Sequence, residues 1–273
     1  MIKDITLGQF FPGNTVLHRM DPRMKIVLTV AYIVAIFLAK NLYSFALVAA
    51  SAVILVAISE ISPRTILKSM KPIIFVLAFT VFFNIFFTEG EIVVFSFGRI
   101  TVYLEGIVFA LMMILRITAM LSGTTVLLTY TTSPIMLTDA LERLLSPLRK
   151  IKLPVHEFSM MMTIALRFIP TLIEETDKIM SAQKARGADF ESGSLVRRAK
   201  ALVPILIPLF ISAFRRADEL ATAMECRCYR GGDGRTRMTR LKLAARDIGA
   251  AFVTVLFITS VVLLNFVPTA IAL

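Results

Sequence analysis

Two arginines stand where a long helical pattern stops. The first pattern begins near Val155 and closes on Ala185-Arg186-Gly187; the second begins near Leu195 and closes on Cys226-Arg227-Cys228-Tyr229-Arg230-Gly231-Gly232. An arginine at a helix C-terminus has two uses. It can complement the negative end of the helix dipole while a following glycine takes the left-handed position that ends the helix. Alternatively, its guanidinium can project past the helix and bridge carboxylates of a second protein, a task suited to its planar fork of donors. Spacing alone leaves both uses open.

Other residues with chemical potential are few. Cys226 and Cys228 are one residue apart, too close for an ordinary structural disulfide and too few for a zinc site, so reduced thiols are expected. His18 and His156 are isolated, and no metal site or cofactor is expected. Gly231-Gly232-Asp233-Gly234-Arg235 lacks the lysine and hydroxyl residue of a phosphate-binding loop and reads as a flexible exit from the second helix. Arg116 lies inside an apolar run, where a charge is costly and faces protein or water. Pairing with a carboxylate or a backbone carbonyl is favoured there over a substrate site.

The elements that must hold the arginines follow from periodicity. Phe158, Met161, Met162, Ala165, Ile169, Leu172, Ile173, Ile179 and Met180 recur at three- and four-residue steps in the first pattern, as do Leu202, Ile205, Leu206, Leu209, Phe210, Ala213, Ala217, Leu220, Ala221 and Met224 in the second. The opposite faces carry Glu174, Glu175, Asp177 and Lys178, and Arg215, Arg216, Asp218 and Glu219. Each helix would extend ~50 Å at 1.5 Å per residue, with bends expected at Pro170, Pro204 and Pro208. The Met-rich stretch Met160-Met161-Met162 suits either core packing or an adaptable contact with partners.

Composition sets these helices in a membrane protein. Of 273 residues 57% are apolar and only 18% charged, with a net charge of +11 and a mean hydropathy of +0.78. A soluble domain would carry about a quarter charged residues. Most basic residues flank apolar segments, which argues against nucleic-acid binding. The first twenty residues lack the apolar core of a cleavable signal peptide. Five spans are expected: Ile26–Ala39, Tyr43–Ile58, Ile73–Phe87, Ile107–Tyr130 and Ile248–Leu273. The first reaches span length only if Lys25 and Lys40 snorkel to the interfaces. The alternating segment Ile92–Leu104 reads as a β-hairpin turning at Gly98, and Asp139–Lys152 as an amphipathic helix and loop. Met160–Leu172 and Leu202–Phe214 are too short to cross and are expected to lie in the interface. Lysine and arginine crowd one side of this topology (Lys3, Arg19, Arg23, Lys25, Arg64, Lys68, Lys71 and every basic residue from Arg143 to Arg246), while Lys40 and Arg99 lie on the other. The N-terminus and both arginine tips are therefore expected in the cytoplasm.

Three segments carry a family resemblance: Lys184-Ala185-Arg186-Gly187 after a Glu174-Glu175 helix, Met224-Glu225-Cys226-Arg227-Cys228-Tyr229-Arg230-Gly231-Gly232 closing the next, and His18-Arg19-Met20-Asp21-Pro22-Arg23-Met24-Lys25 before the first span. In that order, and over essentially the whole chain, they resemble the transmembrane component of energy-coupling factor transporters. The resemblance implies a non-catalytic scaffold whose two coupling helices dock on a pair of cytosolic ABC-type ATPases, identical or not. The scaffold would also hold a small substrate-binding membrane subunit for vitamin or metal-ion uptake. Carried over by position, Ala185, Arg186 and Gly187 would enter one ATPase and Cys226, Arg227 and Cys228 the other, the cysteines departing from a plain Ala-Arg-Gly. Met160, Met161 and Leu206 would contact the substrate subunit.

The expected fold is thus an all-α polytopic membrane protein, with about five transmembrane helices and a cytosolic coupling domain of long amphipathic helices. Its expected regions are an N-terminal transmembrane region at 1–130, the coupling domain at 131–246 and a C-terminal span at 247–273. The alternative is a self-sufficient secondary carrier, which would favour matched halves and ionisable groups at the midplane. The sequence shows none beyond Arg116. An intramembrane enzyme would need catalytic carboxylates, histidines or a metal set, and the expected spans contain no such cluster.

Overall fold

A computed structural model describes residues 10–90, 92–97, 100–190, 192, 194–232 and 241–267. The N-terminal segment 1–9, the hairpin turn expected at Gly98, the linker 233–240 and the tail 268–273 lie outside the described residues. The order of elements is α1 (Pro22–Leu38), α2 (Leu42–Ser59), α3 (Pro63–Met70), a 3₁₀ turn (Lys71–Ile73), α4 (Ile74–Phe87), β1 (Val93–Phe97), β2 (Ile100–Tyr103), α5 (Leu104–Thr124), a π-helical turn (Thr125–Tyr130), α6 (Pro134–Leu144), a 3₁₀ turn (Ser146–Ile151), α7 (Val155–Ala185), α8 (Leu195–Cys226) and α9 (Ala245–Leu264). Gly8–Leu137 with Arg240–Leu273 forms one compact unit, and Thr138–Thr239 belongs to the other.

The first unit is the membrane unit. Four stretches in it are long and apolar enough to cross a bilayer: Leu42–Ser59, Pro63–Phe87, Leu104–Tyr130 and Ala245–Leu264. Helix is the form such segments must take, because the hydrocarbon core offers no partner for an open N–H or C=O. The third expected span reaches its length by joining α3 to α4 through the turn at Lys71-Pro72. α1 has 17 residues, ~26 Å of rise, which is short of the hydrocarbon thickness. Its ends nevertheless match those of α9. The Asp21 N–H donates to Asp247 Oδ1 at 2.9 Å at one end; at the other, Lys40 N–H donates to Asn265 Oδ1 at 3.0 Å and Asn265 Nδ2 to Leu38 O at 2.7 Å. α1 and α9 therefore run side by side over the same depth, which is the structural case for a fifth span. It also explains why α9 ends at Leu264 rather than continuing as the hydropathy suggests: Asn265 ties the C-terminal ends of the two helices together.

Snorkelling, the device expected at both flanks of α1, operates at only one. Lys40 is exposed, but Lys25 is 1% exposed. Its Nζ donates to Thr131 O at 2.7 Å, Thr132 Oγ1 at 3.1 Å and Thr131 Oγ1 at 3.2 Å. The ammonium is satisfied inside the protein, so it has no need of water.

α5 packs against α1, α2 and α4, and α9 against α1 and α2. Tyr32, Ile36, Phe45, Val48, Met112, Ala119 and Val261 form the resulting core. A second cluster gathers Leu17, Met20, Leu28, Ile66, Val126, Leu127 and Tyr130. α4 and α5 approach closely at Gly106, where a Cβ would stand 2.8 Å from Asn84 O; small residues permit such backbone contacts in membranes. β1 and β2 pair antiparallel with Phe97 opposite Ile100, as the alternation predicts. α4 buries nothing fully and turns Phe75, Phe79, Phe82 and Phe87 outward.

The second unit is built on α7 and α8, of 31 and 32 residues. Both run unbroken through their prolines, with Pro170 inside α7 and Pro204 and Pro208 inside α8. Each proline removes one backbone donor and leaves the helix continuous. Arg216 Nη2 meets Glu175 Oε2 at 2.8 Å between the two helices. His156 at the start of α7 bonds Glu142 of α6 at 2.9 Å, and Gly232, past the end of α8, lies against the His156 ring. The exit of α8 thus returns to the entry of α7, so the pair runs in an antiparallel sense.

Candidate docking site

The two arginine tips share one backbone design. At the end of α7, Gly187 N–H bonds Lys184 O and Ala188 N–H bonds Gln183 O, both at 3.0 Å. At the end of α8, Cys228 N–H bonds Glu225 O at 2.8 Å and Tyr229 N–H bonds Met224 O at 3.0 Å. Each is a Schellman motif with arginine at the cap and the next residue in the left-handed conformation. That residue is Gly187, with φ of 87°, in the first motif and Cys228, with φ of 56°, in the second. The second helix was expected to stop at glycine. It stops at cysteine, because the residue directly after the arginine sets the turn, and Gly231-Gly232 comes three residues too late. A side chain in the left-handed region costs roughly 1–2 kcal/mol, so Cys228 holds strain that Gly187 does not.

The geometry leaves both guanidiniums outside the cap itself. Backbone N–H groups close both helix ends, so neither side chain is needed to satisfy the last carbonyls. Arg186 and Arg227 are exposed, and among the described residues no ion pair or side-chain hydrogen bond engages either guanidinium. They add a favourable charge at the negative end of each dipole, and their donors stay exposed. Ala185, Gly187, Cys226 and Cys228 are exposed beside them, with both thiols free. The tips do not meet each other; they close different helices.

A second surface lies along the N-terminal parts of the same helices. Phe158, Met161 and Met162 of α7 are exposed, as are Val203, Leu206, Ile207, Phe210, Ile211 and Phe214 of α8. Met161 is 58% and Leu206 50% exposed, whereas Met160 is half-buried. Core packing therefore does not account for Met161 and Met162. Exposed apolar stretches of this kind, one on each helix, mark contact with a protein or with lipid.

Some structurally important groups escape sequence reasoning. Glu175 and Arg216 read as solvated charges on the outer faces, yet they turn toward each other between the helices. Asp247, 1% exposed, accepts Asp21 N–H through Oδ1 and Ala244 N–H through Oδ2, at 2.9 and 2.8 Å. Asp21 also caps α1 and holds Arg23 at 2.8 Å. The signal was present: Asp247 is the single acid at the head of an apolar run. Arg116 takes a backbone carbonyl, donating from Nη2 to Ala39 O at 3.0 Å with its guanidinium 5.1 Å from the Phe45 ring centre.

Known proteins resemble this chain over most of its length. A family model described as the cobalt transport protein CbiQ matches residues 13–238. The energy-coupling factor transporter transmembrane protein of Ruminiclostridium cellulolyticum is 53% identical over 267 residues, covering 98% of this chain and 99% of its own length. Its namesake in Clostridium kluyveri is 54% identical over 252 residues, covering 92% and 93%. The one in Bacillus subtilis is 45% identical over 247 residues, covering 90% and 93%. A family match over most of the chain, near-full-length relatives, span-length helices and paired arginine-capped rods converge, and the chain belongs to the family of transmembrane components of energy-coupling factor transporters.

Proposed function

We propose that this membrane protein is the scaffold of an energy-coupling factor importer. It couples ATP hydrolysis by two cytosolic ABC-type ATPases to movement of a small substrate-binding membrane subunit, which takes up a vitamin or metal ion. Ala185-Arg186-Gly187 enters one ATPase and Cys226-Arg227-Cys228 the other; the chain itself catalyses nothing. Met160, Met161, Leu206 and the apolar residues around them hold the substrate subunit. The basic connections set the N-terminus and α7–α8 on the cytoplasmic side.

One observation carries this reading: both long helices end in the same backbone cap, which leaves an exposed arginine without a partner among the described residues. A lone tip would suit ordinary capping, whereas two alike on neighbouring rods suit a pair of like sockets. The test is recovery of ATPase subunits on affinity-purified scaffold. Arg186→Glu and Arg227→Glu are each expected to reduce recovery at least ~10-fold, since each turns a bridge to carboxylate into a repulsion, while membrane insertion is unchanged. Full recovery with both variants would refute the reading.

A further inference from the structure

Glu175 and Arg216 meet at 2.8 Å between α7 and α8, with side chains 21% and 34% exposed. Around Arg216 lies an apolar groove of about 310 Å³ whose walls include Phe168 and Leu172 of α7 and Ala213, Ala217 and Leu220 of α8. Ala213 and Ala217 keep the surface low there, and the apolar walls lower the local polarity on one flank of the charge contact.

The position of this pair along the helices is the telling feature. Arg186 stands eleven residues after Glu175, and Arg227 stands eleven residues after Arg216. At 1.5 Å per residue both tips lie ~16 Å along their helices from the contact. Neither intervening stretch, Thr176–Ala185 or Ala217–Cys226, contains proline or glycine. All three helix prolines, Pro170, Pro204 and Pro208, fall before the ion pair in their own helices. Two continuous rods of equal length therefore lead from one ion pair, in opposite directions, to two caps of the same backbone pattern. In each helix the prolines lie on the side of the pair away from that helix's own tip.

We propose that the Glu175–Arg216 pair is the fulcrum of the scaffold, the fixed point that sets the angle and register of the two arginine-tipped arms. The proposal rests on the reading that the tips engage two ATPase subunits. Glu175 and Arg216 are positioning residues: they touch neither motor nor cargo, and they make displacement of one tip felt at the other. An apolar contact in their place would let α7 and α8 slide or rotate over each other, because apolar packing has no preferred direction. A charge-assisted hydrogen bond is directional and holds one register.

Two measurements test it. In the first, spin labels at Ser181 and Thr222, each six residues beyond the pair, report the arm-to-arm distance by pulsed electron resonance. The full-length chain is held in nanodiscs without ATPases, with Cys226→Ser and Cys228→Ser removing the native thiols. The parent should give one narrow distribution, Glu175→Gln and Arg216→Glu a broadened or shifted one, and the swap Glu175→Arg with Arg216→Glu should restore the narrow peak. In the second, the assembled complex in proteoliposomes is assayed for substrate taken up per ATP hydrolysed. Each single variant should lose ~10-fold in that ratio while retaining its ATPases, and the swap should recover most of it. If Arg216→Glu fails to express, Glu175→Gln and the swap carry the comparison. Unchanged distances and unchanged uptake per ATP in the single variants would overturn the fulcrum, as would a swap that restores neither. Restored distances in the swap, alongside ATPase recovery indifferent to Arg186→Glu and Arg227→Glu, would refute the docking reading and leave the fulcrum standing.

Discussion

At Cys228 the chain accepts a left-handed backbone with a side chain attached, while the matching position in α7 carries glycine. The substitution Cys228→Gly removes that strain and should stabilise the last turn of α8 by about 1 kcal/mol. Hydrogen exchange at Cys228 and Tyr229, whose N–H groups close the motif, should slow several-fold. Gly187→Ala should do the reverse in α7, for the same reason. A second residue-scale expectation concerns Asp247. Its two oxygens satisfy two backbone donors, Ala244, three residues away, and Asp21, 226 residues away in the chain. Asp247→Ala leaves both unpaired and should cost roughly 2–4 kcal/mol. Asp247→Asn retains one acceptor and should cost less. Thermal unfolding of the purified chain in detergent measures the difference.

Among the elements, α7 and α8 divide their labour along their lengths. Their C-terminal arms are polar and end in cations, whereas their N-terminal parts expose apolar faces. A glutamate on such a face costs little in an exposed helix and much in a dry interface. Met161→Glu and Leu206→Glu should therefore leave the scaffold and its ATPases intact but cut recovery of the substrate subunit by at least ~10-fold. Native mass spectrometry of the purified complex reads this directly, and equal recovery of all subunits would contradict the assignment of these faces. Met160, half-buried, should be the less sensitive of the neighbouring methionines. The extents of these helices were legible in the sequence to within a residue or two, because apolar periodicity and an arginine at each stop are local signals. The continuity of α3 into α4 was not, since Arg64, Lys68 and Lys71 interrupt the hydropathy before Ile73 and only the 3₁₀ turn bridges the two helices.

At the scale of the molecule, α1 and α9 link the beginning of the chain to its end. Hydrogen bonds join the two at both ends within the membrane unit, and Thr138–Thr239 precedes the final helix in the chain. The orientation of the whole can be checked with native groups. Cys226 and Cys228 are the chain's two cysteines and both are exposed. A membrane-impermeant maleimide should label them in inside-out vesicles and not in intact cells, if basic connections face the cytoplasm. Bound ATPases should protect both thiols. Labelling in intact cells would reverse the topology.

Sequence alone determined the helices, the hairpin and the arginine tips, because hydropathy, periodicity and capping are properties of neighbouring residues. It determined the family through motifs that stay contiguous in the chain. Only the tertiary structure decided where the charges go. Lys25 looked like a snorkelling flank and is a buried donor to Thr131 and Thr132. Glu175 and Arg216 looked solvated and bind each other across 41 residues of chain. Such pairings depend on which helix faces are brought together, and an ionic side chain long enough to reach several neighbours carries no local mark of the one it meets.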